Sequence, residues 1–189
     1  MLSIAFDSTG AAAALTGLVT GAGCLVALGT AGLLWVQLRT GVAPLPCGTL
    51  ERRLVVALLT EAGLPPHPRI VELGSGWGDL ALTLSRAFPR AHIEAIEWSW
   101  LPFAVGRLRT LRRANISPHW GDFFQHPLDR ADAVVLYLMQ RPMEDLAAKF
   151  DRELKPGTPV VTVVFGFHGR SIEAGLPQRA PWQVARYRW

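Results

Sequence analysis

The sequence contains little cysteine, and its histidines are dispersed. It has two cysteines in 189 residues, Cys24 and Cys47. One lies in an apolar stretch and the other in a proline-rich one, so we expect no disulfide between them. The five histidines stand singly, without the spacing of a cysteine and histidine metal site, and we predict no metal centre. These absences exclude the disulfide-rich secreted domains and the zinc modules.

Lysine is nearly absent as well, since Lys149 and Lys155 are the only two in the chain. The net charge of +4 and the pI near 9.7 therefore come from arginine. The densest cluster lies on a predicted helix: Arg107, Arg109, Arg112 and Arg113. Such a cluster indicates either a solvated helix face or contact with anionic lipid headgroups. Nucleic-acid binding would also need stacking aromatics on a recognisable module, so we expect no nucleic-acid partner.

Charge is missing altogether between Ser8 and Leu38. About 20 apolar residues in a helix are enough to cross a bilayer. The sequence therefore predicts an N-terminal segment over residues 1–40 with one transmembrane helix over 11–37, followed by a globular domain over 41–189. A signal peptide would have a basic start and a shorter apolar core. A buried helix of a soluble protein is the other alternative, because glycine and threonine dilute the apolar run.

The residues around this apolar run predict its orientation in a membrane, and the small residues within it bear on helix pairing. No lysine or arginine precedes it, whereas three arginines follow: Arg39, Arg52 and Arg53. The positive-inside rule then predicts a single-pass protein whose globular domain faces the cytoplasm, in the first place at a prokaryotic inner membrane. Small residues recur every fourth position, at Ala13, Gly17 and Gly21. They indicate either a weak helix-mediated dimer or simple exposure to lipid.

In the globular part, helical and extended patterns alternate. Apolar runs predict strands over 70–73, 92–96, 116–120, 131–139, 160–167 and 182–189. Helical periodicity predicts helices over 50–64, 79–88, 102–114 and 142–154, with Thr49 as a cap of the first, and a loop over 169–181. This alternation predicts an α/β protein with a Rossmann-like, doubly wound, mainly parallel sheet. Such sheets bind ligands outside the carboxyl ends of their strands.

A glycine turn follows the first strand, in RIVELGSGWG over residues 69–78. Gly74, Gly76 and Gly78 allow a tight turn that a flat ligand can approach closely. Glu97 ends the next strand, where such folds place the carboxylate that binds ribose hydroxyls. Asp79 at the start of the following helix would repel a pyrophosphate. A nucleoside cofactor without phosphates fits better, and the sulfonium cation of S-adenosylmethionine would favour nearby acids such as Glu72.

Several motifs in order carry a resemblance to a known family. They are VELGSGWG, the acid in IEAIEWSW, GDFF, and ADAVVLYLM with ELKPGTPVV. Over residues 44–167 they resemble the sequential motifs of class I S-adenosylmethionine-dependent methyltransferases. Residues 131–165, with PLPCGT and the apolar segment before it, are similar to the membrane-anchored lysine methyltransferases that act on the ATP synthase c-subunit and the adenine nucleotide translocase.

This resemblance implies a set of site residues. The methionine and ribose portions of S-adenosylmethionine would lie along Gly74, Ser75, Gly76 and Gly78, with Glu72 at the amino end and Glu97 at the ribose. The adenine would meet Asp122 and Phe123, with Trp98 or Trp100 on the other side of the ring, and Thr49 would lie in the loop before the domain. Tyr137 would face the methyl acceptor. Solvated carboxylates and core tryptophans are the alternative interpretation of the same residues.

The expected activity is methylation of a lysine in a membrane or membrane-adjacent protein. A lysine acceptor must first lose its proton, which a desolvated wall formed by Tyr137, Leu138 and Met139 would favour. We identify no general base. Methylation of a lipid headgroup or of a membrane-partitioned small molecule is the alternative activity. A membrane scaffold that binds the cofactor without catalysis is the alternative from another class.

Overall fold

The computed structural model describes residues 8–40, 47–175 and 183–189, and the chain forms two compact units, Met1–Thr40 and Gly41–Trp189. The described part of the first unit is a single helix, α1 (Ser8–Thr40). Among the described residues, no helix is at once long and apolar enough to cross a membrane. The prediction of a helix over 11–37 is confirmed, and its assignment as a transmembrane span stays a prediction.

The second unit alternates helices and strands along the chain. Its helices are α2 (Thr49–Glu61), α3 (Asp79–Ala87), α4 (Trp100–Thr110) and α5 (Met143–Glu153). Its strands are β1 (Arg69–Leu73), β2 (His92–Glu97), β3 (Ile116–Trp120), β4 (Ala133–Leu136), β5 (Pro159–Val164), β6 (Ala174–Gly175) and β7 (Gln183–Arg188). The predicted α/β alternation is confirmed.

The seven strands form one sheet in the order β3-β2-β1-β4-β5-β7-β6. The first five are parallel, whereas β7 runs antiparallel to β5 and β6 antiparallel to β7. At the carboxyl end of β1, Leu73 lies opposite Ile96 of β2 and Leu136 of β4. The chain order reverses on the two sides of β1, and the segments after these strands therefore meet at one edge, where such sheets bind ligands.

Helices cover both faces of the sheet and bury two apolar clusters. On one face, α2 packs through Val55, Leu58 and Leu59, at helical spacing, together with α3. On the other face, α5 packs through Met143, Leu146 and Phe150. Strands β1, β2, β4 and β5 are thus buried on both faces, which explains their nearly continuous apolar runs, whereas the edge strand β3 is partly exposed.

Two helix starts differ from the prediction. Helix α4 begins at Trp100 and not at Pro102, because proline is tolerated within the first turn of a helix, where the backbone N–H has no helical partner. The N-cap of α2 is Gly48, without a side-chain cap, so the prediction of Thr49 as the cap is wrong. The Thr49 hydroxyl instead accepts a hydrogen bond from Arg52 Nη2 at 3.2 Å.

A short strand replaces part of the predicted loop over 169–181. Strand β6 pairs with the final strand, β7. Just before β6, the Glu173 carboxylate accepts hydrogen bonds from Arg186 Nε at 3.0 Å and from Arg188 Nη2 at 2.9 Å. A side chain at Gly175 would place its Cβ 2.7 Å from the carbonyl oxygen of Val184. The pairing thus depends on ion pairs and a close backbone approach, which the apolar pattern of this segment does not reveal.

Candidate functional site

The glycine turn joins β1 to α3 at the carboxyl edge of the sheet. Gly74, Gly76 and Gly78 have φ angles of 77°, 54° and 80°, in the left-handed region that favours glycine. The backbone N–H groups of Gly74 and Ser75 both donate to the carbonyl oxygen of Ile96, each at 2.9 Å. The turn is therefore fastened to the end of β2, and it exposes its backbone at this edge.

Glu97, the last residue of β2, fixes the turn from the other side. Its Oε2 accepts the N–H of Gly76 at 2.7 Å, and its Oε1 accepts the N–H of Ser99 at 2.7 Å. The residue is only 7% exposed. Each carboxylate oxygen has a further lone pair, so Glu97 can accept hydroxyl groups without releasing the backbone.

Glu72, near the end of β1, is a buried carboxylate with an unsatisfied oxygen. It is 2% exposed, and its Oε2 has no hydrogen-bond partner among the described residues. Burial raises its pKa well above the usual value, and the negative charges of Glu97 and Asp79 raise it further. A buried carboxylate is stabilised by a cation that pairs with it, and this oxygen fits the ammonium group of an amino acid moiety.

A small cavity adjoins this carboxylate. It is lined by Cys47, Glu72, Gly74, Ser75, Gly76, Trp77, Asp79, Leu80 and Tyr137. Its volume of about 20 Å³ is enough for one water molecule or a group of similar size, such as an ammonium. The turn glycines Gly74 and Gly76, the acid Glu72 and the candidate acceptor residue Tyr137 thus lie around one space.

A second cluster lies beside Glu97, after β3. The N–H of Gly121 donates to the Glu97 carbonyl oxygen at 3.0 Å, and Asp122 follows directly. Asp122 Oδ1 accepts the N–H of Phe124 at 2.8 Å, whereas Phe123 is buried and meets the Trp98 ring edge-on at 6.4 Å. The residues predicted for the adenine are therefore neighbours of the residue predicted for the ribose.

Helix α4 supports the turn, which the sequence analysis did not anticipate. Arg109 donates from Nη1 to the Trp77 carbonyl oxygen and from Nη2 to Asp79 Oδ1, both at 2.6 Å. A Cβ at Gly106 would lie 3.2 Å from the carbonyl oxygen of Gly76. An isolated glycine inside a predicted helix was the available signal, because it often marks a close approach of another segment.

Two neutral side chains, Cys47 and Tyr137, also line the cavity. Burial raises the pKa of the Cys47 thiol to about 12, with the charge of Glu72 adding to the effect. Burial also raises the pKa of the Tyr137 hydroxyl. The exposed Thr49 is not among the residues that line this cavity. Sequence reasoning placed Cys47 in the preceding loop but gave it no role in the site.

Solved structures share this fold. An RNA methyltransferase from Salinibacter ruber, in complex with S-adenosyl-L-homocysteine, superposes with a TM-score of 0.66 at 23% identity, over 76% of this chain and 93% of that one. Human N-acetylserotonin methyltransferase in complex with S-adenosylmethionine gives a TM-score of 0.57 at 16% identity, over 73% and 51% of the two chains. The fold and the glycine turn with its acids define a class I S-adenosylmethionine-dependent methyltransferase, with S-adenosylmethionine as its cofactor.

The family is defined by a sequence match. The model of the ANTKMT methyltransferase domain matches residues 72–174, more than half of the 189 residues, and the chain belongs to this family. A curated relative, the protein-L-isoaspartate O-methyltransferase of Roseiflexus castenholzii, is 36% identical over 98 residues. That match covers 49% of this chain and 45% of the relative, so the chain aligns with about half the length of the curated relative.

Proposed function

We propose that this methyltransferase transfers the methyl group to the side-chain amine of a lysine in a protein. The family match supports an S-adenosylmethionine-dependent enzyme, and the acidic character of the cavity supports an amine as acceptor. Glu72 and Asp79 line that cavity, and the charge of Glu51 acts on both Cys47 and Tyr137. Asp79 is paired with Arg109, so the carboxylates of Glu72 and Glu51 remain to favour a lysine side chain over a carboxylate acceptor.

The proposed roles of the cofactor residues follow from their contacts. Glu72 would pair its free Oε2 with the ammonium of the methionine portion, because no described residue satisfies that oxygen. Glu97 would accept the ribose hydroxyls while keeping its bonds to Gly76 and Ser99. Asp122 would accept from the adenine amino group beside the buried Phe123. S-Adenosylmethionine, when bound, supplies a methyl group activated by its sulfonium.

The protein has to bring the acceptor close to this methyl group and to exclude water, since a positioned pair reacts without an elaborate catalytic set. We propose that Tyr137 is the residue that meets the acceptor. Because its hydroxyl stays protonated, its oxygen can accept a hydrogen bond from an amine without adding charge. A lysine that packs against this partly buried wall of Tyr137 and Cys47 loses solvation of its charged form, which lowers its pKa and favours release of the proton to solvent, whereas the nearby carboxylates act in the opposite direction.

Two other acceptors remain as second candidates. The 36% identity to a protein-L-isoaspartate O-methyltransferase favours a carboxylate of a protein, which would yield a methyl ester. The arginine cluster on α4 and just after it favours the amine of a lipid headgroup, since that helix begins three residues after Glu97, the proposed ribose ligand. The acidic cavity disfavours the first of these acceptors and is compatible with the second.

Labelling with tritiated S-adenosylmethionine distinguishes the three acceptors. The full chain is incubated with membranes and with cytosolic extract, and each sample is split into a protein fraction and an organic extract. Lysine methylation predicts label in protein that survives mild base and that co-migrates with methyllysine after acid hydrolysis. Base-labile label in protein would indicate a methyl ester, and label in the organic extract would indicate a lipid. Either result would overturn the lysine assignment, whereas Glu97→Gln controls for label that does not depend on this enzyme.

A further inference from the structure

One stretch of the second unit exposes an unusual concentration of large apolar side chains. Seven large hydrophobic residues are exposed among the described residues of this unit, and five of them lie between positions 98 and 120. These five are Trp98, Trp100, Leu108, Leu111 and Trp120, with Trp100 55%, Trp120 65% and Leu108 68% exposed. Single exposed apolar residues are ordinary, but a contiguous group of this kind marks an interaction surface.

The group is contiguous because of the geometry of α4. Trp100, Ala104 and Leu108 are four residues apart, so they lie along one face of the helix. The buried residues Pro102, Gly106 and Thr110 occupy the opposite side. Trp120, at the end of β3, extends the exposed face, since its ring stacks on Phe103 at 6.5 Å. Its indole N–H also donates to the Trp98 carbonyl oxygen at 2.8 Å, which joins the beginning of the helix to the end of the strand.

The charged side chains of this stretch are all arginines. From Trp98 to Gly121 the sequence has four arginines and no acidic residue. Arg109 is held by Asp79 below the helix. Arg107 and Arg112 are exposed, and neither forms an ion pair with another described residue. The surface thus combines aromatic and aliphatic side chains with cations that no protein acid neutralises.

We propose that this tryptophan–arginine face, formed by Trp98, Trp100, Trp120, Leu108, Arg107 and Arg112, binds the surface of an anionic phospholipid membrane. Tryptophan favours the headgroup region, where its ring is amphipathic, and leucine buries its side chain just below it. Arginine contacts the phosphates of anionic headgroups, and the negative surface potential attracts it over about a Debye length. The face offers all three kinds of group together, on α4 and on the residues beside it up to the end of β3.

A single-stranded nucleic acid would be a poorer fit for the same surface. Bases stack on aromatic rings, and here one face of the Trp120 ring is already covered by Phe103. The leucines offer no stacking platform, although they account for much of the exposed apolar surface. Aliphatic side chains beside free arginines match acyl chains below phosphates better than they match bases.

A local fluorescence measurement on the full chain tests the proposal. Cys24→Ser removes the exposed cysteine, Cys47 is buried, and Ala104→Cys places an environment-sensitive NBD label in the middle of the face. We expect a blue shift and a gain in intensity with phosphatidylcholine vesicles that contain 30% phosphatidylglycerol, and neither change with phosphatidylcholine alone. The matched control is the same label at Ala87→Cys, an exposed alanine on α3, which should remain in water in both cases.

Two double substitutions distinguish binding to a membrane surface from binding to another partner. Arg107→Gln/Arg112→Gln in the labelled chain should raise the lipid concentration at half-maximal shift by about 30-fold, from about 1 kcal/mol for each arginine. Arg90→Gln/Arg152→Gln, at two exposed arginines elsewhere, should leave it unchanged. A label at 104 that stays in water with anionic vesicles overturns the proposal. So do equal shifts at positions 104 and 87, or a shift caused by single-stranded polynucleotide and not by vesicles.

Discussion

Replacing Gly106 with alanine tests whether α4 holds the glycine turn in its binding geometry. The new Cβ would lie 3.2 Å from the Gly76 carbonyl oxygen and 3.4 Å from the backbone of Gly78 and Trp77. These are backbone atoms of a turn, so they cannot move aside as the end of a flexible side chain does. The turn has to shift by a few tenths of an ångström.

The size of the effect follows from two opposing contributions. The shift weakens the 2.7 Å bond from the Gly76 N–H to Glu97, and hydrogen bonds to charged groups contribute about 1.5 to 3 kcal/mol. Cofactor binding would require the unshifted turn, so restoring this bond would lower the affinity by about 1 kcal/mol, or about fivefold in Kd. In the unliganded chain the weakened bond is offset by the alanine, which gains up to about 1 kcal/mol of folding stability over glycine inside a helix. We therefore expect weaker cofactor binding without a lower melting temperature.

Calorimetric titration with S-adenosylmethionine and with S-adenosylhomocysteine measures the first effect, and thermal unfolding of the unliganded chain measures the second. The affinity for both ligands should fall to the same degree, because the proposed contacts of the turn are with the portion that the two ligands share. Gly23→Ala is the matched control, since that helical glycine has open space around its Cβ. An unchanged Kd for Gly106→Ala, or a loss of binding accompanied by a lower melting temperature, would refute the positioning role.

Three further changes test the site and the core. Glu97→Gln should weaken cofactor binding by about 1 to 3 kcal/mol in calorimetry, because one hydrogen-bond acceptor is lost and the new amide NH₂ faces a backbone N–H. An unchanged affinity would mean that Glu97 does not bind the cofactor. Burial raises the pKa of Glu72, and its ionised form would bind the ammonium of the cofactor, so the cofactor affinity of the wild type should rise with pH above the usual carboxyl range. Glu72→Gln should remove that dependence, and a parallel pH profile in the variant would contradict the assignment. Phe150→Ala should lower the free energy of unfolding, measured with denaturant, by about 3 to 5 kcal/mol, since the fully buried ring meets Phe167 and Trp189. A loss below 1 kcal/mol would contradict this, because it would mean that the surrounding core fills the space left by the ring.

Much of the fold was predictable because four of its strands are short apolar runs that are buried on both faces. β1, β2, β4 and β5 are apolar runs, and the helices between them have clear periodicity. The final strand was predicted as well, although its arginines interrupt the apolar pattern. The two-residue β6 was not, because its pairing depends on Glu173 reaching two arginines that follow it by 13 and 15 positions. No local pattern contains that information.

The candidate site likewise contains residues whose position the sequence predicted and residues whose position it did not. The placement of Glu72, the turn glycines and Glu97 at one edge was predictable, since each follows or lies near the end of a strand and a parallel sheet brings such ends together; their roles toward a cofactor stay a prediction. Arg109 and Gly106 were not predictable, because their contacts depend on the side of α4 that faces the turn, which the sequence does not show. Arg109 supports the turn, whereas Arg107, two positions earlier on the same helix, is exposed and forms no ion pair with a described residue, a difference that depends on helix rotation.

Helix α4 therefore has two distinct sides. The buried side carries Gly106, the residue without a side chain that lets the turn approach, and the exposed side carries Trp100 and Leu108. A larger residue at 106 would push the turn away, whereas a polar residue at 108 would leave the turn in place. Selection for cofactor binding explains the glycine, but it does not explain large apolar side chains in water on the opposite side. Those side chains need a partner of their own, and the free arginines among them indicate that this partner is anionic.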